Sequence, residues 1–374
     1  MRVGPYVVAA ALLLSACSGA AASTSGPAPA QTSASQDGRA WPTTTPAAAG
    51  FSAARLDRLA REARAADSSC LVVVRGGRLV KQWNWGTPRR TPREVFSVTK
   101  SVASALVGIA VRDGDLRLDD RVSRYLPSWR GTPSSRVTVQ QLLSNDSGRY
   151  WSLASDYSLL LQARNRTAYA AGLDQQYPPG TAWAYNNSAI QVLDRVISRA
   201  VGMPTDRFAA ERLLGPLGMT RSRMTRDASG RSTNVFAGLQ TTCLDLARFA
   251  QLYLRDGRGP HGRILEHSYV RASVGRSSTP LNAAYGYLWW LNRHGVVRGA
   301  TDPVDAEGQP LEEHVGRLVP DAAPNLYSAI GFGGQIAMVD PDTRTVVVRI
   351  GPGGDHGYGL GDAARVVTWA LTRP

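Results

Sequence analysis

A serine and a lysine lie three residues apart in the segment FSVTKS, as Ser97 and Lys100. If this segment is helical, the spacing puts both side chains on one face. A serine hydroxyl is a weak nucleophile until a neighbour takes its proton; a desolvated lysine can do so, whereas arginine stays protonated. Of the 43 Lys and Arg residues, only Lys81 and Lys100 are lysines. We therefore predict that Ser97 is a nucleophile and that Lys100 helps to activate it.

Two further motifs contain residue types suited to the same chemistry. The first is Y-N-N at 185–187: a tyrosine near a lysine ammonium can have a lowered pKa and transfer protons, and Asn187 can donate a hydrogen bond to a substrate carbonyl. The second is GFGGQ at 331–335, whose glycines let backbone N–H groups approach a ligand closely. Each motif also has a structural interpretation, as a helix cap and as a tight hairpin.

In this order the motifs resemble those of the serine hydrolases of the β-lactamase and penicillin-recognising superfamily. The resemblance is greatest to the class C branch, with its esterase and 6-aminohexanoate-dimer hydrolase relatives. It covers roughly residues 46–374 and is carried by the stretches VFSVTKSVASALVGIAVRDG, LLSNDSG, PG at 179–180, YNN, GPLGM, the segment 244–257, YGYLWW and GFGGQIAMVDP. It implies an α/β (α+β) fold, an antiparallel sheet flanked by helices with an all-α insertion. No cofactor and no metal are expected.

The resemblance also implies a role for individual residues. Ser97 would be acylated, Lys100 and Tyr185 would form the proton-transfer pair, and Asn187 would contact the substrate. The oxyanion hole would combine the Ser97 N–H with that of Gly334 or Gln335. A tyrosine of the helical part would also contact the substrate, and Tyr150 and Tyr157 are equal candidates.

One departure from the resemblance bears on the substrate. The penicillin-binding branches have a Lys-Thr/Ser-Gly strand whose cation and hydroxyl hold the β-lactam carboxylate. Here that place reads FGG at 332–334 or GFG at 331–333, with neither group. The sequence therefore favours hydrolysis of ester or small amide bonds. A β-lactamase or D,D-peptidase-type enzyme is the alternative, and an inactive lipoprotein that binds cell-wall fragments is an alternative from another class.

The elements that must position these residues follow from the hydrophobic pattern. Apolar runs with turn residues predict hairpins near both ends, at 70–85 and 326–351, each flanked by a helix at 51–66 or 362–371. The middle is mostly helical. We therefore expect one antiparallel sheet assembled from both ends of the chain. The part that contains the sheet would comprise about residues 49–115 and 258–374, and the helical part about residues 116–257.

The N-terminus is typical of an exported lipoprotein. A short apolar run, far shorter than a membrane span, precedes Leu-Ser-Ala-Cys17, which resembles the bacterial lipobox. Residues 1–17 are thus expected to be a signal peptide with Cys17 lipidated, followed by a flexible Ala/Ser/Thr/Pro/Gly tether at 18–48. The protein would be extracytoplasmic and anchored in the membrane at the cell surface.

Charge and histidine patterns argue against a nucleic-acid-binding protein and against a metalloprotein. The net charge is +14, but the arginines are scattered, so no nucleic-acid partner is expected. The five histidines all follow residue 260 and are too spread for a metal motif. Cys70 and Cys243 could pair in an oxidising compartment or remain buried thiols. The expected partner is a small ester or amide substrate; the sequence does not specify an oligomeric state.

Overall fold

The structure is a computed structural model that describes residues 41–302 and 312–372. Its helices alternate with short 3₁₀ and π turns. The 3₁₀ turns are Val122–Arg124, Pro127–Trp129 and Pro133–Arg136, and the π turns are Ser155–Leu159, Ala210–Leu214 and Val366–Ala370. The helices are α1 (Ala53–Ala65), α2 (Val98–Asp113), α3 (Val139–Ser144), α4 (Leu160–Gln162), α5 (Arg166–Gly172), α6 (Asn187–Gln191), α7 (Leu193–Val201), α8 (Thr205–Ala209), α9 (Cys243–Leu254), α10 (His267–Val274) and α11 (Leu360–Arg365).

The strands form one large sheet and several small ones. They are β1 (Cys70–Arg75), β2 (Arg78–Asn84), β3 (Arg93–Glu94), β4 (Arg223–Met224), β5 (Leu239–Thr241), β6 (Arg258–Gly259), β7 (Gly262–Arg263), β8 (Trp290–Leu291), β9 (Gly295–Val297), β10 (His314–Gly316), β11 (Tyr327–Gly331), β12 (Gln335–Asp340) and β13 (Thr345–Ile350). The large sheet has the order β2-β1-β13-β12-β11-β8 and is antiparallel throughout. The predicted sheet built from both ends of the chain is confirmed.

Helices cover both faces of this sheet. Because side chains alternate along a strand, β1 sends Leu71 and Val73 to a core shared with α1 and α11. Val72 and Val74 point to the opposite core, which contains α2 and α9. The central strands therefore read as continuous apolar runs, since both of their faces are buried.

Helix α9 is the main departure from the predicted domain boundaries. The sequence placed it in the helical part, but it packs against β1, β12 and β13. The cause is its apolar face, with Leu246, Ala247 and Ala250 buried in the sheet's core. The structure also joins Cys243, at the start of α9, to Cys70 at the start of β1 in a disulfide, with a Cα–Cα distance of 6.4 Å.

The end of the predicted tether is not free. The Trp41 indole donates to the Gly77 carbonyl at 2.9 Å, and the Thr44 N–H donates to the Leu79 carbonyl at 3.0 Å. Residues 41–44 therefore lie against β2, so this end of the predicted tether is held by the sheet. The predicted signal peptide, Cys17 and tether residues 18–40 lie outside the described residues. None of the described helices is long and apolar enough to cross a membrane.

Candidate active site

Ser97 stands at the start of α2, where its hydroxyl does not cap the helix. It is the N-cap residue, but its side chain makes no capping hydrogen bond. The preceding residue, Phe96, has a positive φ of 45°, a conformation that costs energy for a bulky side chain. Its carbonyl is held by the Thr99 hydroxyl at 2.6 Å. The chain thus turns sharply into the helix, and the helix N-terminus supplies partial positive charge beside Ser97.

Lys100 contacts the Ser97 hydroxyl directly. Its Nζ lies 2.7 Å from Ser97 Oγ and 2.9 Å from the Phe236 carbonyl oxygen, and the side chain is only 1% exposed. Burial lowers the pKa of Lys100 to about 7, although the Asp156 carboxylate opposes the shift. A neutral amine can donate to Phe236 and accept the proton of Ser97, so the geometry suits a general base.

Tyr185 is buried among aromatic rings beside these two residues. Its ring stacks on Trp290 at 5.4 Å, and Lys100 Nζ lies 4.8 Å from its centroid. Burial raises the pKa of Tyr185 well above its ordinary value, and hydrogen bonding to Ser97 and Trp290 offsets only part of this rise. The expectation of a lowered tyrosine pKa is therefore wrong, because the effect of burial is larger than that of the hydrogen bonds. Tyr185 is a neutral phenol that can donate a proton.

The two candidate tyrosines of the helical part are now separated. Tyr157 is 40% exposed and its hydroxyl donates to the Ala300 carbonyl at 3.5 Å; the Asn187 side chain lowers its pKa against the rise caused by burial. It also acts electrostatically on Tyr185. Tyr150 is 38% exposed, and its carbonyl accepts from the Asn186 side chain, an arrangement that orients the backbone rather than a substrate. The structure thus brings Tyr157 and Asn187 to the site and gives Tyr150 no comparable contact.

Asp156 is a residue at the site that the sequence analysis missed. It is fully buried, and its carboxylate accepts hydrogen bonds from the Asn187 N–H, the Ser188 N–H and the Ser188 hydroxyl. Burial raises its pKa to about 6, against the lowering effect of these bonds and of Lys100. A lone aspartate within an apolar segment carries no sequence signal for such a position.

The hairpin that carries the predicted oxyanion donors Gly334 and Gln335 approaches Ser97 through Gly331. A Cβ placed on Gly334 would meet the Tyr358 carbonyl, and Gln335 pairs with Gly331 across the hairpin. A Cβ on Gly331 would instead meet the Val95 carbonyl and lie 3.2 Å from Ser97 N. The register of the hairpin, which the motif does not specify, brings Gly331 next to Ser97. Gly334 and Gln335 stay predictions as oxyanion donors beside the Ser97 N–H.

Gly331→Ala should slow acylation of Ser97 by about tenfold or more, because misplacement of a reacting group by an ångström can cost about 10²-fold. The added methyl group would push against backbone at Val95, which cannot move aside like a side chain. The rate of labelling by a fluorophosphonate measures the effect. Gly361→Ala is the control, since a Cβ there meets nothing within 4 Å. Equal rates for both variants would show that Gly331 does not support the site.

The chain is similar to known proteins both in sequence and in fold. A family model described as Beta-lactamase matches residues 56–351. A D-aminopeptidase of Cereibacter sphaeroides (strain ATCC 17029 / ATH 2.4.9) is 28% identical over 178 residues, which are 41% of this chain and 32% of that protein. The chain thus spans only about a third of that relative's length.

Two solved structures share the architecture. One, assigned as a 6-aminohexanoate-dimer hydrolase from Bacillus anthracis, has a TM-score of 0.65 at 20% identity and covers 84% of this chain and 83% of its own. The other, a family VIII carboxylesterase, has a TM-score of 0.61 at 17% identity and covers 86% of this chain and 98% of its own. At these identities, the likeness establishes the fold alone.

Proposed function

Because the chain belongs to the Beta-lactamase family and is a serine hydrolase, we propose that it cleaves uncharged esters or small amides through an acyl-enzyme on Ser97. The observation that carries the proposal is the contact of 2.7 Å between Ser97 Oγ and a buried Lys100 amine. Burial favours the neutral amine, which is the form that accepts a proton.

The reaction follows from these contacts in two halves. Ser97 Oγ attacks the substrate carbonyl carbon while Lys100 takes the hydroxyl proton, and the oxyanion forms beside the backbone N–H groups at the start of α2. The bond to the leaving group then breaks, and the leaving group departs with a proton from the neutral phenol of Tyr185, which regains one from Lys100. Water attacks the acyl-enzyme in the same way and releases the acid and free Ser97.

Two features support an uncharged substrate. Gly331 lies beside Ser97, and neither GFG at 331–333 nor FGG at 332–334 contains the cation or the hydroxyl that would hold a carboxylate. Exposed aromatic side chains also lie near Ser97. Phe332, 64% exposed, packs edge-on against Phe96 beside Ser97, and Tyr157, 40% exposed, acts electrostatically on Tyr185. Apolar groups near a catalytic serine favour substrates with apolar substituents.

A fluorophosphonate probe tests the proposal without knowledge of the natural substrate. Wild-type protein should be labelled, and Ser97→Ala should not. An unlabelled wild type would support the alternative of a protein that binds cell-wall fragments without cleaving them. A panel of p-nitrophenyl esters, nitrocefin, D-amino-acid peptides and aminohexanoate oligomers then identifies the bond cleaved. Preferential turnover of nitrocefin or D-amino-acid peptides would favour the β-lactamase or D,D-peptidase alternative.

The proposal includes export and anchoring as a lipoprotein, supported by the lipobox-like sequence that ends at Cys17. Cys17→Ser should release the protein from the membrane fraction into the soluble fraction, because the acyl chains that hold it could no longer be attached. Fractionation of cells that express each form, followed by immunoblotting, measures this. A wild type already found in the soluble fraction would refute the anchor.

A further inference from the structure

Asp156 lies behind the site and holds the segment that carries Asn187. It belongs to the π turn Ser155–Leu159, which precedes α6 by almost thirty residues. One carboxylate oxygen accepts from the Asn187 N–H; the other accepts from the Ser188 N–H at 3.2 Å and the Ser188 hydroxyl at 2.6 Å. Because these donors begin α6, the carboxylate fixes where the helix starts relative to Tyr185. No exposed part of Asp156 can bind a substrate.

Asp156 is also the negative charge that acts on Lys100. The two groups are buried in the same interior, where charges interact more strongly than in water. The other titratable groups that Asp156 influences are the phenols of Tyr157, Tyr169 and Tyr185. These phenols are uncharged because burial raises their pKa values.

Arg166 is the further cation near this pair. Its guanidinium lies 5.8 Å from the centroid of the Phe236 ring, and Lys100 Nζ lies 5.6 Å from the same centroid. Arg166 has its own acidic neighbours, Glu94 and Asp227. The balance of charge at Lys100 therefore depends mainly on Asp156.

We infer that Asp156 is a positioning residue of the active centre, which holds Tyr185 and Asn187 in place and sets the fraction of Lys100 that is free to accept the Ser97 proton. This inference rests on the proposed function, in which Lys100 is the base. It adds a residue that touches neither the substrate nor the reacting atoms. Its consequence is a defined change in pH dependence when the charge is removed.

The direction of that change follows from the two charges. Lys100 has a pKa of about 7 and Asp156 of about 6, so Asp156 is mostly ionised over the range where Lys100 loses its proton. Asp156→Asn keeps the shape and removes the charge that stabilises the ammonium. The pH at which Lys100 is half-deprotonated should then fall by about one unit, the lower end of the effect of a nearby opposite charge.

Lysine-specific ¹³C labelling makes this titration visible by NMR, since the chain has only Lys81 and Lys100. Lys81, paired with Asp57 at 3.2 Å on the surface, supplies a second signal that neither substitution should move. The matched control is Asp194→Asn. Asp194 is another buried aspartate, which accepts from the Thr167 hydroxyl at 3.0 Å and does not act on Lys100.

The pH dependence of fluorophosphonate labelling gives a second readout. Its acid limb should move to lower pH in Asp156→Asn and stay in place in Asp194→Asn, while the labelling rate at high pH falls because Asn187 is held less firmly. Ser188→Ala, a milder change, retains the charge but removes one bond that favours the ionised carboxylate. It should give a smaller shift of the Lys100 midpoint in the same direction. It can replace Asp156→Asn in the test if that variant does not fold.

The outcomes separate the inference from the proposed function. If Asp156→Asn lowers thermal stability and labelling while the Lys100 midpoint is unchanged or rises, Asp156 is merely structural and the inference is overturned. An unlabelled wild type refutes the proposed function. In that case the NMR titration still decides whether Asp156 sets the protonation of Lys100.

Discussion

Lys100→Arg and Lys100→Met are both expected to lower the rate of Ser97 acylation by about 10² or more, the usual size of a lost general-base contribution. Arginine keeps the positive charge but does not give up its proton in proteins, and methionine fills the space without a proton acceptor. Both should retain the fold, although a buried guanidinium will lower the melting temperature. Stopped-flow labelling and thermal unfolding measure the two effects separately.

The wild-type pH profile belongs to the same prediction. Because the pKa of Lys100 is lowered to about 7, acylation should rise with pH through that value and then level off as the amine becomes neutral. Lys81→Arg is the control. Lys81 pairs with Asp57 and lies on β2, the edge strand at the opposite side of the sheet from β11 and β8. A Lys100→Arg variant with near wild-type acylation would mean that position 100 supplies only positive charge, and that water or Tyr185 takes the proton.

Tyr185→Phe should reduce turnover by about 10² or more for substrates with poor leaving groups, because a general acid contributes about 10²–10⁴. The phenol stays protonated since burial raises its pKa, so its role is to donate a proton when the leaving group departs. p-Nitrophenyl esters should be much less affected than alkyl esters or amides, since p-nitrophenolate leaves without protonation. Single-turnover rates for both substrate types reveal this difference.

Tyr285→Phe is the matched control for Tyr185→Phe. Tyr285 is buried in the same aromatic cluster, 6.1 Å from the Tyr185 ring centroid, but Ser97 is not among the groups that shift its pKa. The phenylalanine at 185 should keep the stack on Trp290, so stability should change little. Equal losses for good and poor leaving groups would show that Tyr185 is not the leaving-group acid.

Local patterns in the sequence determined the parts of this protein that depend on near neighbours. A helix brings residues three apart to one face whatever surrounds it, so the spacing of Ser97 and Lys100 was sufficient to predict their contact. Continuous apolar runs bounded by turn residues determined the hairpins of β1, β2, β12 and β13 in the same way. That the motif GFGGQ contains neither a cation nor a hydroxyl could likewise be read directly.

Tertiary structure alone decided what depends on distant segments. The hairpin at 331–335 faces α2 through Gly331 because of its register, which the motif does not contain. The choice of Tyr157 over Tyr150, and the place of Asp156 behind Asn187, depend on how the π turn packs against α6. The Tyr185 pKa rises because the fold buries the phenol, and no local spacing reveals this desolvation.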